Sequence, residues 1–168
     1  MILDTLQCNK IKNIGMKILM VCKGNICRSP LAEGVLRELS TNNGLDWELD
    51  SAAIKAFHIG KAPDSRAIYT AEKHHIDISD HKCRLLTIED FENFDIIYAM
   101  SQDILDFMQE MAPKNRHHKL KLLMSEVDPS ISQDIPDPFH GEEKDFDYAY
   151  DLIVLACEKI IEKHIKDQ

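Results

Sequence analysis

A short apolar run that leads directly into a polar, cysteine-bearing loop constrains the fold of this chain more than any other feature. Residues 17–21 read KILMV, which is typical of a strand buried on both faces of a sheet. The run stops at Cys22, within the string VCKGNICRSP of residues 21–30. Ser29 is a good helix N-cap, Pro30 suits the first helical position, and LAEGVLREL then places its apolar residues at helical spacing. The sequence therefore predicts a strand, a loop and a helix in that order.

Predicted strands and helices alternate along the rest of the chain. Further strands are predicted at residues 47–53, 95–100 and 119–124, and helices at 63–76, after the third strand and at 146–165. This alternation indicates a parallel sheet covered by helices on both faces. We therefore expect an α/β fold, a single-domain three-layer sandwich with a central four-stranded parallel sheet and helices on both faces.

The chain has the length and composition of one ordinary globular domain. It has 168 residues, of which 44% are apolar and 29% are charged. Its formal net charge of −9 argues against broad nucleic-acid binding and against docking on an anionic membrane. We expect residues 1–15 to form a loosely ordered N-terminal extension, with Met16 as an alternative start, and residues 16–168 to form the domain.

The cysteines indicate a reducing compartment. The five cysteines, at positions 8, 22, 27, 83 and 157, are odd in number and irregularly spaced. No pair recurs at zinc-ligand spacing, and the N-terminus has no apolar core long enough for a signal peptide. The sequence therefore predicts a cytoplasmic protein without a disulfide framework. We expect no metal and no cofactor.

The loop after the first predicted strand has the composition of an anion-binding site. It follows the carboxyl end of a parallel strand, where open α/β sheets bind ligands. Gly24 lets the loop curl, Asn25 tolerates a positive φ angle, and Arg28 offers a bidentate fork for tetrahedral oxyanions. Helix N-termini and nearby cations favour the thiolate form of cysteine, and the Ser29 hydroxyl can donate to the Cys22 sulfur. We predict a reactive Cys22 in a phosphate-binding loop after the first strand.

Four stretches of the sequence resemble the low-molecular-weight protein tyrosine phosphatases. VCKGNICRSP resembles the signature loop of that family, and three later stretches follow in order and at family spacing: DSAAIKAFHIGKAPDSRA (50–67), SDHKCRLLTIEDFENFDIIYAM (79–100) and DIPDPFHG (134–141). The resemblance covers residues 16–165. It implies metal-independent, cysteine-dependent hydrolysis of phosphotyrosine in proteins or peptides, with inorganic phosphate as a product. We expect a monomer with no nucleic-acid or membrane partner.

The resemblance implies roles for three catalytic residues. Cys22 would be the nucleophile that attacks phosphorus in line. Arg28 and the backbone N–H groups of residues 23–28 would hold the phosphoryl oxygens through the transition state. Asp137 would protonate the tyrosyl leaving oxygen and then act as base toward the water that hydrolyses the phosphocysteine.

The choice of the acid depends on the residue that follows each Asp-Pro pair. Asp128 and Asp137 both precede a proline, and Asp134 lies close to the second pair. Only the pair at 137–138 is followed by an aromatic residue, Phe139, which suits the lining of a pocket for a phenyl ring. We therefore predict Asp137 as the acid, with Asp128 and Asp134 as the alternatives.

The resemblance also implies a pocket and a support for the loop. Phe57 and Phe139 would form the walls that hold the substrate ring, with Ile26 at the base of one side. His81 resembles a family histidine that hydrogen-bonds Asn25 and so steadies the loop. These roles are supported only by the resemblance, since an isolated phenylalanine is usually a core residue.

Two further loop residues, Lys23 and Cys27, concern specificity and redox control. Lys23 stands where the family commonly has a leucine or a small residue, so one wall of the pocket becomes cationic. For Cys27, the resemblance implies a reversible Cys22–Cys27 disulfide under peroxide, which would protect the nucleophile from irreversible oxidation. We therefore expect a redox-regulated enzyme.

Two other activities share this fold and loop. Protein-arginine phosphatases tend to carry threonine where this chain has Ile26, and an apolar residue suits an aryl ring better. A thiol-coupled arsenate reductase needs two further cysteines near each other late in the chain, whereas Cys83 and Cys157 are far apart. A catalytically dead phosphate-binding module would be expected to lose Cys22 or Asp137, and both are present.

Overall fold

A sheet of four parallel strands forms the centre of the protein. The computed structural model describes residues 15–167. The strands, numbered along the chain, are β1 (Lys17–Cys22), β2 (Glu48–Ala53), β3 (Ile96–Ala99) and β4 (Leu120–Leu122). They lie in the order β2-β1-β3-β4, and each neighbouring pair is parallel. The predicted four-stranded parallel sheet is confirmed.

Helices cover both faces of this sheet. The α-helices of the described residues are α1 (Arg28–Asn42), α2 (Ser65–Glu72), α3 (Asp90–Asn93), α4 (Gln102–Met111) and α5 (Glu143–Lys166). Successive β1 side chains point to opposite faces of the sheet. Ile18 and Met20 pack in one core with residues of α1, α2 and α5, and Leu19 and Val21 pack in a second core with residues of α3 and α4. This confirms the predicted three-layer sandwich.

The strand order places the loop after β1 at a switch point of the sheet. Strand β1 lies between β2 and β3, and its last residue, Cys22, is in register with Ala53 of β2. The chain leaves β1 for a helix on one face, and it leaves β3 for a helix on the opposite face. The crevice where two such connections diverge is the usual ligand site of α/β sheets. Residues 23–27 border that crevice.

Helix α1 begins earlier than the sequence pattern suggests. Its first residue is Arg28 and its N-cap is Cys27, which makes no side-chain capping hydrogen bond. The expectation that Ser29 caps the helix and that Pro30 opens it was therefore wrong. The Ser29 hydroxyl is directed toward Cys22 instead. Because no side chain caps this terminus, its first backbone N–H groups remain suited to an anion.

Helix α2 is shorter than the predicted span of residues 63–76. It runs over Ser65–Glu72, because the Asp64 carboxylate accepts a hydrogen bond of 2.9 Å from the backbone N–H of Arg66 and so caps the first turn. At the other end the chain turns away where His75 adopts a φ angle of 63°. A left-handed residue of this kind commonly ends a helix.

Helix α5 begins earlier than the sequence predicts. It starts at Glu143, three residues before the predicted helix of 146–165, because Glu142 and Asp145 form a capping box around its first turn. The buried side of α5 contains Phe146, Ile153 and further apolar residues. Acidic residues thus begin this helix, where the partial positive charge of its N-terminus stabilises their negative charge.

The predicted N-terminal extension, residues 1–15, lies outside the described residues apart from Gly15. Among the helices of residues 15–167, none combines the length and the apolar character that crossing a membrane requires.

Helix α5 provides a test of the core. Ile153 is fully buried against the sheet, whereas Leu155 on the same helix is 40% exposed. We expect Ile153→Ala to lower the free energy of unfolding by about 2–5 kcal/mol, because it leaves a cavity in the core. Leu155→Ala is the matched control and should change that free energy by about 0.5 kcal/mol or less. Urea unfolding followed by circular dichroism measures both, and equal losses would contradict this assignment of the buried face.

Candidate active site

The loop after β1 curls around the sulfur of Cys22. The backbone N–H of Asn25 donates a hydrogen bond of 3.2 Å to Cys22 Sγ, and Ser29 Oγ lies 3.0 Å from the same sulfur. Asn25 adopts a φ angle of 54°, which lets the chain reverse over three residues. The thiol is 3% exposed. The loop and the first turn of α1 thus place polar groups within hydrogen-bond distance of this sulfur.

The Asn25 side chain fixes this curl from behind. Its Nδ2 donates to Ser29 Oγ at 2.8 Å and to Ser51 Oγ at 2.9 Å. Its Oδ1 accepts from the His81 ring at 2.9 Å and from the backbone N–H of Arg84 at 3.2 Å. The carboxamide therefore joins the loop to α1, to β2 and to the segment before Leu85. The contact between His81 and Asn25 that the resemblance implies is present.

The Glu33 carboxylate contacts both Ser51 and His81. Ser51 Oγ donates to Glu33 at 2.6 Å, and Nδ1 of His81 lies 3.3 Å from the same carboxylate. Burial of the ring lowers the pKa of His81, while the carboxylates of Glu33 and Asp50 oppose that shift. Sequence reasoning did not identify Glu33 or Ser51. The only sequence feature that could have indicated Ser51 was the presence of a serine at the apolar end of a predicted strand.

Glu33, Asp50 and His81 could offer ligands to a metal ion, since one ligand atom from each lies within 4.8 Å of the others. However, Arg37 pairs with Glu33, and Arg84 pairs with Asp50 at 2.8 Å. The two carboxylates are therefore already compensated by two guanidinium groups. A divalent cation would have to displace these pairs, so we assign no metal to this group.

Arg28 faces the segment that carries the predicted acid. Its Nη1 donates to the backbone oxygen of Ile135 at 3.0 Å, and its Nη2 donates to Asp137 Oδ2 at 3.2 Å. The backbone N–H of Ile135 donates in turn to the oxygen of Met100 at 2.8 Å, just after β3. The 134–141 segment is thus attached to the carboxyl end of the sheet. The expected fork of Arg28 is present, and in this structure it contacts the protein's own carboxylate and carbonyl.

The three candidate aspartates have different surroundings. Asp137 lines the cavity above Cys22. Asp134 accepts a hydrogen bond of 2.8 Å from the backbone N–H of Gln102 at the start of α4, and Asp128 accepts from Ser130 in an exposed turn. Neither of the two alternatives lines the cavity. The geometry therefore favours Asp137 as the group that reaches a bound ligand.

A cavity lies directly above the sulfur. Its lining includes the predicted pocket residues Phe57, Phe139 and Ile26, together with Lys23 at its exposed rim. Phe57 is 64% exposed and Phe139 is 37% exposed, so both rings have free faces. The remaining lining residues are Cys22, Gly24, Cys27, Arg28, His58, Asp137 and His140. The structure thus brings the predicted nucleophile, arginine, acid and pocket walls into one cavity.

His58 is a lining residue that sequence reasoning did not identify. Its ring centroid lies 6.3 Å from that of Phe57 and 6.2 Å from that of Phe139. A Cβ atom on Gly24 would lie 3.2 Å from the His58 ring. A side chain at position 24 would therefore require this imidazole to shift by a few tenths of an ångström, whereas the positive φ angle of the loop belongs to Asn25.

Two further thiols lie close to the loop. Cys27 is buried, and its burial, together with the Asp64 carboxylate, raises its pKa well above the ordinary value. Cys83 Sγ donates to the backbone oxygen of Gly24 at 3.1 Å. Cys22, Cys27, Cys83 and Cys157 are all free cysteines.

The first strand of this parallel α/β sheet ends in a cysteine, and polar groups of the following loop surround its sulfur. These features define a class of protein with a cysteine in an anion-binding loop. The family described as "Low molecular weight phosphotyrosine protein phosphatase" matches residues 17–168. The chain therefore belongs to the low molecular weight phosphotyrosine protein phosphatases, and the resemblance seen in the sequence is confirmed.

Relatives and solved structures agree with this assignment. The low molecular weight phosphotyrosine protein phosphatase of Sus scrofa is 35% identical over 155 residues, which cover 90% of this chain and 98% of the relative. The Homo sapiens enzyme is 38% identical over 149 residues, covering 87% and 94%. The crystal structure of a protein tyrosine phosphatase from Entamoeba histolytica superposes with a TM-score of 0.86 at 33% identity and covers 91% of this chain and 99% of its own. Vibrio vulnificus Wzb superposes with a TM-score of 0.79 at 34% identity, covering 89% and 99%.

The role of Asn25 can be tested with two substitutions. Asn25→Ala removes the side-chain hydrogen bonds and places a Cβ-bearing residue without a local partner at positive φ, which costs about 1–2 kcal/mol. Asn25→Gly removes the same bonds but tolerates the backbone angle. We expect both variants to bind inorganic phosphate more weakly, and the alanine variant to have the lower melting temperature.

Calorimetric titration with phosphate and thermal unfolding measure these effects. The exposed Asn42→Ala in α1 is the matched control and should match the unmodified protein in both. Full phosphate affinity in Asn25→Gly would show that the loop keeps its curl without the carboxamide.

Proposed function

We propose that this protein hydrolyses phosphotyrosine in proteins through a phosphocysteine intermediate. The observation that carries the proposal is the position of Cys22 Sγ, which receives the Asn25 N–H at 3.2 Å at the base of the cavity that Arg28 and Asp137 also line. A thiolate held in this way can attack phosphorus from below. The loop N–H groups and the Arg28 fork can hold the three equatorial oxygens as charge develops on them.

The contact between Arg28 and Asp137 suggests how the site responds to substrate. In this structure the Arg28 guanidinium donates to Asp137 Oδ2 at 3.2 Å. An incoming phosphoryl group offers more acceptor oxygens to the same guanidinium, so Arg28 turns to the substrate and Asp137 is released. The released Asp137 carboxylate takes up a proton from solvent and gives it to the leaving phenolic oxygen. In the second step it accepts a proton from the water that hydrolyses the phosphocysteine.

The cavity walls support an aryl phosphate as substrate. Phe57 and Phe139 have exposed faces on the rim, and Ile26 supplies an apolar base. Vibrio vulnificus Wzb, which shares the fold, has been solved in complex with benzylphosphonate. The thiolate, the guanidinium and the loop amides supply the electrostatics, so the proposed reaction uses no metal and no cofactor.

The distribution of the cysteines speaks against the arsenate reductase alternative. Cys83 lies beside Gly24, and Cys157 is fully buried on α5, facing the backbone oxygen of Ala32. The two sulfurs belong to separate parts of the fold and do not form a pair that could relay a disulfide. The free thiols also support our proposal of a cytoplasmic location, where cysteines are kept reduced.

The reaction can be tested with peptides that differ only in the phosphorylated residue. We expect turnover of phosphotyrosine peptides without added metal, and kcat/KM values lower by about two orders of magnitude or more for phosphoserine and phosphoarginine peptides, because neither fills an aryl pocket. Cys22→Ser should abolish turnover and still bind vanadate, since only the nucleophile is removed. Turnover by Cys22→Ser would refute the mechanism, and a preference for phosphoarginine would replace the proposed substrate.

Cys27 is proposed to protect the nucleophile from oxidation. Peroxide converts the Cys22 thiolate to a sulfenic acid, and the Cys27 sulfur then attacks that sulfur, expels water and forms a disulfide. The raised pKa of Cys27 keeps it a thiol at neutral pH, so Cys22 is the sulfur that is oxidised first.

This redox cycle predicts a difference between two cysteine variants. After mild peroxide treatment, dithiothreitol should restore activity to the unmodified protein and to Cys83→Ser. In Cys27→Ser, recovery should be largely lost, because Cys22 proceeds to the sulfinic acid. Assays before and after reduction, with mass spectrometry of the Cys22 peptide, provide the measurement. Full recovery of Cys27→Ser would rule out the protective pair.

A further inference from the structure

The guanidinium of Arg66 holds the backbone of the segment that carries Asp137. Arg66 is the second residue of α2. Its Nη2 donates to the backbone oxygen of Phe139 at 3.0 Å, and its Nη1 donates to that of Gly141 at 3.2 Å. Both acceptors lie just after Asp137 in the 134–141 segment. Two bonds from one rigid, planar group restrict the path of that segment more than two independent bonds would.

The same guanidinium contacts two aromatic rings. Its carbon lies 5.9 Å from the ring centroid of Phe139 and 4.6 Å from that of Phe146. Phe146 is fully buried at the start of α5, so it is a fixed surface for the cation. Cation–π contacts of this kind orient a guanidinium as well as attract it. Arg66 therefore fixes a wall of the cavity, Phe139, as well as the backbone beside the acid.

Asp64 connects Arg66 to the loop that carries the nucleophile. The Asp64 carboxylate accepts from Nε and Nη2 of Arg66, both at 2.9 Å, and this pairing lowers the pKa of Asp64. The backbone N–H of Asp64 donates to the oxygen of Ile26 at 2.8 Å. A continuous path of hydrogen bonds thus runs from the loop at Ile26 to the 134–141 segment at Phe139. It joins the two parts of the site independently of Arg28.

This second path matters once substrate is bound. In the proposed mechanism Arg28 releases Asp137 and the Ile135 oxygen when it turns to the phosphoryl group. The Arg66 guanidinium then continues to hold the segment beyond Asp137. General-acid catalysis requires the acid within hydrogen-bond reach of the leaving oxygen, and a displacement of about 1 Å can cost about a hundredfold in rate.

We propose that Arg66 is a positioning residue that keeps Asp137 aligned with the leaving oxygen of the substrate. The inference rests on the proposed function, because it assigns Asp137 the role of acid. It concerns the step in which the phenolic oxygen leaves and does not concern the binding of the phosphoryl group. A lysine at this position would keep the charge but would lose the fork and its planar contact with the rings.

The test compares aryl phosphates that differ in the acidity of their phenols. For Arg66→Lys we expect kcat/KM to fall about 10- to 100-fold with phenyl phosphate and little with aryl phosphates of strongly acidic phenols, which leave without protonation. Vanadate affinity should stay within about twofold, because the loop is unchanged. The matched control is Arg116→Lys, another arginine in a bidentate pair with a carboxylate, Glu92, but away from the cavity. It should behave as the unmodified protein with every substrate.

A double-mutant cycle with Asp137→Asn separates positioning from general damage. If Arg66 acts through Asp137, Arg66→Lys has no further effect on kcat/KM in the Asp137→Asn background. Equal losses for all leaving groups, an unchanged penalty in that background, or a parallel loss of vanadate affinity would each overturn the inference. Should the lysine variant unfold at the assay temperature, Arg66→Gln is tested by the same criteria. Absence of phosphatase activity in the unmodified protein would refute the proposed function itself and is seen before any Arg66 variant is measured.

Discussion

The hydrogen bonds of the Asn25 carboxamide are the interaction on which the site depends. They hold one non-glycine residue at a φ angle of 54° between α1, β2 and the stretch around His81. With Asn25 in that conformation, the loop closes around Cys22 and the Asn25 N–H points at the sulfur. The partners Ser51 and His81 are themselves held by the buried carboxylate of Glu33. The surroundings of the Cys22 thiol are thus shaped by a network of buried polar side chains behind the loop.

The local charge around the cavity is positive, whereas the net charge of the whole protein is negative. The chain carries a formal net charge of −9, yet its proposed substrate is a dianion. Attraction must therefore be local, and it comes from Arg28, from the N-terminus of α1 and from Lys23 at the rim. The Asp137 carboxylate occupies one side of the Arg28 fork. This pairing offsets the cost of burying the guanidinium, because a buried charge without a partner is strongly destabilising.

Local sequence patterns predicted the features that depend on residues adjacent in the chain. The KILMV run, the loop chemistry around Cys22 and the Asp-Pro-aromatic string at 137–139 could all be interpreted without a structure. The Ser29 cap was wrong because the same hydroxyl can serve either a helix end or a sulfur, and only the curl of the loop decides between them. Ser51 and Arg66 were missed because their partners lie far along the chain, where spacing in the sequence carries no signal.

The hydrogen bond between Arg28 and Asp137 spans 109 positions of the chain. Contacts of such high sequence separation close only after most of the intervening polypeptide is ordered, since each demands a large loop-closure entropy. During synthesis, the cysteine loop and the partners of Asn25, of which the last is Arg84, are all made well before residue 137. On the proposed mechanism, a nascent chain has its nucleophilic thiol before it has its acid, and catalytic turnover reports that the entire domain has folded.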